Sequence, residues 1–450
     1  MLADLQAILS SFPTYFRPSL TIVLTKVALV SRLYPLTHYS LYLGKGLAQI
    51  DKNKLNLIFY RSKSEQVSIE TLSVKEVWSE SIIYPFQIFQ QVLKDQPDVV
   101  HIQHEFNMFG SPATAVMFPI LLLLLRLSGK KTVVTLHAVV RPQDVDAEFA
   151  RRFAFPSRLW LLLRMLIAGI YRSTVILSPR VIVHARVLKQ QLETSYSADS
   201  KRVWHIPIGV EDPPSRINPG KWTRVLEGKK VILFFGYLGE RKGVEYLLQA
   251  YHKISKLHPD WFLVVAGGVL PYSGPYVNKL TKLITELRLE NSIIFTTTTP
   301  FPRDELHELF HIAEFVVLPY TMAISGSLVL SFAMQHGKPV VASDLGVLSE
   351  EMDEGDAGIL CKPADADDLF RALSALIDDE NRRFRLAINI KQKAANRRWE
   401  SVAQQTYHMY LDAQNVSKNG LPVPNPKCLK KHRSRRSWHK ATEQGESRCR

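Results

Sequence analysis

Residues 313 to 346, AEFVVLPYTMAISGSLVLSFAMQHGKPVVASDLG, constrain the fold more than any other stretch of the chain. Phe315 to Pro319 read as a buried strand, Ser325-Gly326-Ser327 as a small-residue loop, and Leu328 to His336 as a helix stopped by Gly337. Val340 to Ser343 then read as a second apolar strand, which completes one βαβ unit and commits the chain to parallel pairing. Chemistry is expected where the helix begins. Small residues there offer hydroxyls and unobstructed N–H groups at the positive end of the helix dipole, so a phosphate fits without a metal. A plainer account of the same residues is that Ser325 or Ser327 caps the helix and Gly326 turns the chain.

The rest of the chain repeats this alternation. Residues 22 to 30, IVLTKVALV, form a continuous apolar run suited to a strand buried on both faces, and the loop 31 to 40 leads to a helix over 41 to 50. Leu55 to Tyr60, Asp98 to Gln103, Thr132 to Leu136 and Val203 to Gly209 read as further strands. His104, Glu105 and His137 stand just beyond strand ends, where open α/β sheets bind ligands, although backbone partners could equally satisfy each of them. Residues 211 to 228, with three prolines and two glycines, read as a linker. Beyond it, VILFFG (231 to 236) restarts the pattern and runs through a basic turn containing Arg241 and Lys242. FLVVAG (262 to 267) and the organising unit follow, then basic helices over 381 to 412. The predicted architecture is α/β, two doubly wound Rossmann-like domains facing across a cleft. The domains are placed at 1–210 and 229–385, with the linker at 211–228, C-terminal helices at 386–414 and a disordered basic tail at 415–450.

Composition bears on the surroundings. The chain has 450 residues and a formal charge of +15. Ten Lys or Arg against Glu443 and Glu446 place +8 of that in the tail, which suits anionic substrates or peripheral contact with an anionic membrane. Three cysteines form no disulfide framework or metal site, which indicates a reducing compartment. Residues 113 to 127 and 159 to 171 are intensely apolar but fall short of the roughly 20 residues that span a bilayer, and read as buried or interfacial helices. Leu2, Leu5, Leu9, Phe12 and Phe16 fall at helical spacing. They suit a helix covering the first domain or one lying on a membrane.

Two loops of the second half are expected to converge. The turn 236 to 243 and the loop 325 to 327 both follow strands at the same sheet edge, so Arg241, Lys242 and the amides of Gly326 to Leu328 can surround one diphosphate. A diphosphate leaving group held this way needs no base on its own side. His137 would face the transferred group from across the cleft. GxxxxGK[ST], GxSxG, HExxH, CxxC and dinucleotide fingerprints are all absent, which argues against the chemistries they serve.

These residues resemble the retaining glycosyltransferases of family four (group 1), which have the GT-B fold. The likeness spans about residues 22 to 412, through VVHIQHEFNMFG (99 to 110), VVTLHAVV (133 to 140), VILFFGYLGERKGVEYLLQA (231 to 250) and VVLPYTMAISGSLVLSFAMQHGKPVVAS (316 to 343). The resemblance implies transfer of a sugar from a nucleotide-diphosphate sugar to a hydroxyl of a glycan or lipid-linked acceptor, with retention and without metal or other cofactor. On that likeness Gly236, Arg241, Lys242, Ser325, Gly326, Ser327 and Leu328 bind the donor and His137 is catalytic, while His104, Glu105 and Tyr320 are candidates for lining the cleft. The first domain takes the acceptor and the second the donor. The implied place is the cytoplasm or the inner face of the plasma membrane, with no nucleic-acid partner. Ile324 and Phe332 stand where the family usually has a pair of glutamates, and Tyr237 where many relatives have arginine. The glutamate loss motivates an alternative, a catalytically weak homologue acting as a binding or scaffold subunit.

Overall fold

The structure is a computed structural model that describes residues 20–24, 35–50, 55–62, 73–106, 108–153, 155–269, 273–298, 301–352 and 356–415. The readings of the segment 2 to 16, of residues 25 to 34 and of the tail from 416 lie outside the described residues. Residues up to Gln414 form one unit holding two parallel sheets.

The first sheet comprises β1 (Leu20–Leu24), β2 (Leu55–Ser62), β3 (Ser73–Trp78), β4 (Val99–His104), β5 (Lys131–Leu136), β6 (Arg180–Val183) and β7 (Val203–His205). Its spatial order is β3-β2-β1-β4-β5-β6-β7, so the direction of winding reverses between β1 and β4. The second sheet comprises β8 (Lys230–Phe235), β9 (Trp261–Ala266), β10 (Ile293–Thr296), β11 (Ala313–Leu318), β12 (Val340–Ser343) and β13 (Gly358–Cys361). Its order is β10-β9-β8-β11-β12-β13, with the switch between β8 and β11. Ligands of doubly wound sheets bind outside the carboxyl ends of the strands at such switches.

Both faces of the first sheet are buried, which explains its uninterrupted apolar strands. Leu57, Phe59, Val99, Val133 and Ile182 pack on one face, against the helix Pro35–Ile50 and the last described helix, Trp399–Asn415. Their chain neighbours Ile58, Tyr60, Val100, Val134 and Val181 pack on the other. Thus the chain returns from the second lobe to cover the first. Val210 N donates to Arg397 O at 2.7 Å, and a Cβ at Gly209 would come within 2.3 Å of the Trp399 ring. Gly44 answers a similar need, since a Cβ there would meet Phe59 at 2.2 Å.

Several elements depart from the sequence reading. The helix read as 41 to 50 begins at Pro35 and takes in residues assigned to the loop, because proline has no N–H to lose at a first helical position. Strand β3 and the helix Tyr84–Asp95 were not anticipated. β3, SVKEVW, is an edge strand whose half-exposed lysine and glutamate hide its period. Within the stretch read as linker, Lys221–Val225 is a helix whose Trp222 is buried in the second core, and Glu308 accepts hydrogen bonds from Gly220 N and Thr223 N. The apolar stretch read as ending at Tyr171 continues helically to Leu177, so with its leading turn, Ser157–Leu177, it is long and apolar enough to cross a membrane by length and composition. Ile167, Ile170, Tyr171, Thr174 and Val175 nevertheless pack into the first lobe.

Candidate functional site

The carboxyl ends of β8 and β9 approach so closely that only glycine fits. A Cβ on Gly267 would lie 1.8 Å from the carbonyl oxygen of Gly236, whose φ is +138°. The chain then turns through Glu240–Lys242 and leaves by Gly243 at φ +64°, where a Cβ would stand 2.0 Å from Pro319 O. This crowding presses the basic turn against the segment after β11. Thr321 N donates to Arg241 O at 3.0 Å, and the Lys242 ammonium sits 3.5 Å from the centre of the Tyr320 ring. Burial, reinforced by the charge of Arg241, holds the Lys242 ammonium well below the ordinary lysine range. Neither cation has a carboxylate partner among the described residues: the nearby Glu240 pairs instead with Arg151 of the first lobe at 2.7 Å.

The two loops therefore meet in one cleft of about 170 Å³, as their spacing predicted. Gly236, Arg241, Lys242, Tyr320, Ser325, Gly326, Ser327 and Leu328 line it from the second lobe, and Glu105 and His137 from the first. The helix start differs from expectation in one respect. Ser327 caps the helix through its hydroxyl, which accepts from Leu330 N at 3.3 Å. Its amide donates to the buried carboxylate of Glu351, also at 3.3 Å. Burial raises the Glu351 carboxyl above its usual range, and Arg397 at 3.5 Å opposes that rise. An incoming anion at this helix start would therefore rely on Gly326 and Leu328, since Ser327 already serves the fold.

A strand-like contact closes the lobes over this loop. Val139 N donates to Ile324 O at 2.9 Å, and Ala138 and Ser325 pair in antiparallel register. Gly326 allows that approach, since a Cβ there would meet Ile208 Cδ1 at 2.7 Å. Glu350 adds a second tie by accepting from Arg186 N and Val187 N, capping a first-lobe helix whose own cap residue is Ala185.

His137 reaches the cleft through a chain of buried polar groups. His184 Nδ1 donates to Ile206 O at 2.9 Å, which leaves His184 Nε2 as an acceptor for His137 Nδ1–H at 3.2 Å. His137 Nε2 is then unprotonated and lies 2.9 Å from Gln103 Oε1, so it accepts a hydrogen bond with the Gln103 amide turned to present its NH2 to His137 and its oxygen to His101, which lies 2.6 Å from the Tyr410 hydroxyl. Burial lowers all three histidines, His101 to about 3 and His184 to about 4, so the chain carries neutral rings. Both ring nitrogens of His137 are thus occupied inside the lobe. His104, a candidate for the cleft, is corrected by the structure: it is buried against Phe118, and burial lowers it to about 3. Its carbonyl accepts from His137 N at 3.1 Å, so it helps to place His137 without lining the cleft.

Sequence reasoning missed Tyr39, His184, Ile208 and Gly268 as cleft residues. His184 carries the same signal as His137, one residue past a strand. Phe332 lines the cleft and Ile324 packs toward the first core, so neither position supplies a carboxylate.

Two doubly wound parallel sheets whose switch points open on one cleft define the GT-B class of fold. Solved structures agree. The Anabaena protein HepE, solved in complex with UDP and glucose, aligns with a TM-score of 0.66 at 18% identity over 87% of this chain and 100% of its own. Sucrose-phosphate synthase from Thermosynechococcus elongatus aligns at 0.68 and 18% identity over 88% of this chain and 99% of its own. The family models "Glycosyltransferase Family 4" and "Glycosyl transferases group 1" match residues 58–212 and 221–393. The chain belongs to the group 1 glycosyltransferases of family four. Among curated relatives, D-inositol 3-phosphate glycosyltransferase of Corynebacterium kroppenstedtii is 29% identical over 52% of this chain and 53% of its own. The chain spans about half the length of that relative.

Proposed function

We propose that the protein transfers a glycosyl group from a nucleotide-diphosphate sugar to a hydroxyl of a glycan or lipid-linked acceptor, with the anomeric configuration retained. The observation that carries this reading is the pair Arg241 and Lys242, two cations without carboxylate partners among the described residues, held beside a helix start in the cleft. A diphosphate completes that arrangement. It moves the Lys242 ammonium back toward the ordinary lysine range and stabilises the leaving group in a water-poor site, where fixed donors are worth most. The anomeric carbon exchanges its bond to the diphosphate oxygen for one to the acceptor oxygen, and the acceptor's proton balances the charge of the released diphosphate. The cations supply the electrostatics, so the reading requires no metal or other cofactor. HepE, of the same fold, was solved with UDP and glucose, and the Corynebacterium relative is named for transfer to an inositol phosphate. The work is assigned to the cytoplasm or to the inner face of the plasma membrane, without a nucleic-acid partner.

The test is a panel of nucleotide-diphosphate sugars scored by the rise in melting temperature, because a ligand bound only by the folded state stabilises it. At least one donor should raise the midpoint and lose that effect in Lys242→Ala. Turnover should persist in chelator, and the product's anomeric proton should match the donor's configuration by NMR. A second reading, a binding or scaffold subunit with little turnover, is favoured by Ile324 and Phe332 at the family's glutamate positions. Nucleotide binding without any glycoside product across the panel would select it.

A further inference from the structure

A second space adjoins the cleft, and its walls have a different chemistry. About 100 Å³, against about 170 Å³ for the cleft, lies between Phe106, Phe149, Phe153, Leu163, Leu166 and Ile167. Among the described residues that line it only Glu105 is polar, and Glu105 also lines the cleft. The partition between the two spaces is one strand contact thick: Ala138 and Ile324 line this space, and their chain neighbours His137 and Ser325 line the cleft.

The helix Trp160–Leu177 forms one wall and is apolar on both sides. Leu163, Leu166, Ile167 and Ile170 line the space, while Leu161, Leu162 and Met165 are 57%, 46% and 70% exposed on the outside. A core helix needs one apolar stripe, so a helix that also exposes two leucines and a methionine on its outer side is matched to something beyond its own lobe. Arg158 is exposed beside these side chains and Arg164 interrupts them, so the outer surface combines apolar area with positive charge.

We propose that this space takes the hydrocarbon chain of an amphiphilic acceptor, whose hydroxyl enters the cleft past Glu105. This rests on the transfer reading above and narrows its acceptor to a hydroxyl carried on a lipid chain. Such a chain loses no hydrogen bonds on entering a space walled by phenylalanine and leucine, and each methylene withdrawn from water tightens binding. The outer face of the same helix meets the lipid surface from which that acceptor comes, and its arginines suit an anionic headgroup layer.

The experiment compares n-decyl β-D-glucoside, below its micellar concentration, with methyl β-D-glucoside by calorimetry on the full chain, with UDP as a separate titrant. The decyl compound should bind at least tenfold more tightly than the methyl one. Leu166→Trp, which fills the space, should abolish that advantage while UDP still binds. Phe153→Ala, which enlarges the space, should shift the preferred chain from decyl toward dodecyl and serves if the filled variant does not fold. Equal binding of the two glucosides overturns the proposal. So does an advantage that survives Leu166→Trp but is lost in Met165→Glu, because the chain would then lie on the outer face. Failure of the transfer reading looks different: decyl glucoside binds in the space while no nucleotide binds the cleft.

Discussion

The two lobes share a strand order, and their difference lies in what each places at its switch point. The second lobe brings glycines, two adjacent cations and a helix start to the ends of β8 and β11, with a closed core beneath. The first brings histidines, a glutamate and a wall of phenylalanines to the end of β4 and to its neighbour β5, beside the β1–β4 switch, and leaves leucines exposed on its outer helix. Topology decides where ligands sit, because strand ends converge there in both sheets. Loop composition decides which ligand, and here it divides into an anion-binding side and an apolar side.

The largest expected effect tests that division through acid. His101, His104 and His184 of the first lobe are lowered by burial to about 3, 3 and 4, and His336 of the second to about 3. Their folded values lie below the ordinary histidine value of about 6.5, so the unfolded chain binds the extra protons. Their contribution is intact above that value and is lost as pH falls toward the folded values. At one unit below 6.5 the three first-lobe rings together should withdraw about 4 kcal/mol. Hydrogen exchange should show the first sheet losing protection at a higher pH than the second. Simultaneous loss would break the comparison.

Next in size is the anion site. Lys242→Ala should lower kcat with the accepted nucleotide sugar by about 100- to 1000-fold, equivalent to about 2.7–4 kcal/mol of lost transition-state stabilisation. A change below threefold would remove Lys242 from that role.

A pair of glycines sharpens the contrast further. Gly243 of the second lobe combines φ +64° with Pro319 O at 2.0 Å from any Cβ, whereas Gly129 of the first has φ +73° and open space around it. Gly129→Ala should cost about 1–2 kcal/mol of backbone strain. Gly243→Ala should cost more, because backbone must move as well. Equal melting temperatures for the two variants would show that the basic turn is not held against Pro319.

The smallest effect joins the lobes. Arg151 and Glu240 pair at 2.7 Å with side chains 52% and 38% exposed. A double-mutant cycle should give a coupling of about 0.2–1 kcal/mol, reduced by salt. A larger, salt-insensitive value would mean that this pair holds the lobes closed.

Much of the fold was legible because buried parallel strands announce themselves as apolar runs. VILFFG, FLVVAG and EFVVL all became strands of the second sheet, and the basic turn and the Ser-Gly-Ser loop did meet. The edge strand β3 stayed hidden because its lysine and glutamate are half-exposed, which leaves no apolar run to read. The capture of the Ser327 amide by Glu351 was also invisible, since 24 residues separate the two and nothing local pairs them. His137 was rightly picked as a strand-end residue lining the cleft, yet its ring nitrogens face Gln103 on β4 and His184 at the end of β6, the strands that flank β5.

The sequence by itself determined the alternation of strand and helix, the parallel sheets and the short list of strand-end residues, because periodicity and backbone preference act between near neighbours. Tertiary structure alone decided that Ala138 would pair with Ser325, that a helix from the end of the chain would cover the first sheet, and that an apolar space would open beside the cleft. Those outcomes depend on how distant surfaces share burial. No local pattern encodes that sharing, because its energy exists only once the lobes have packed.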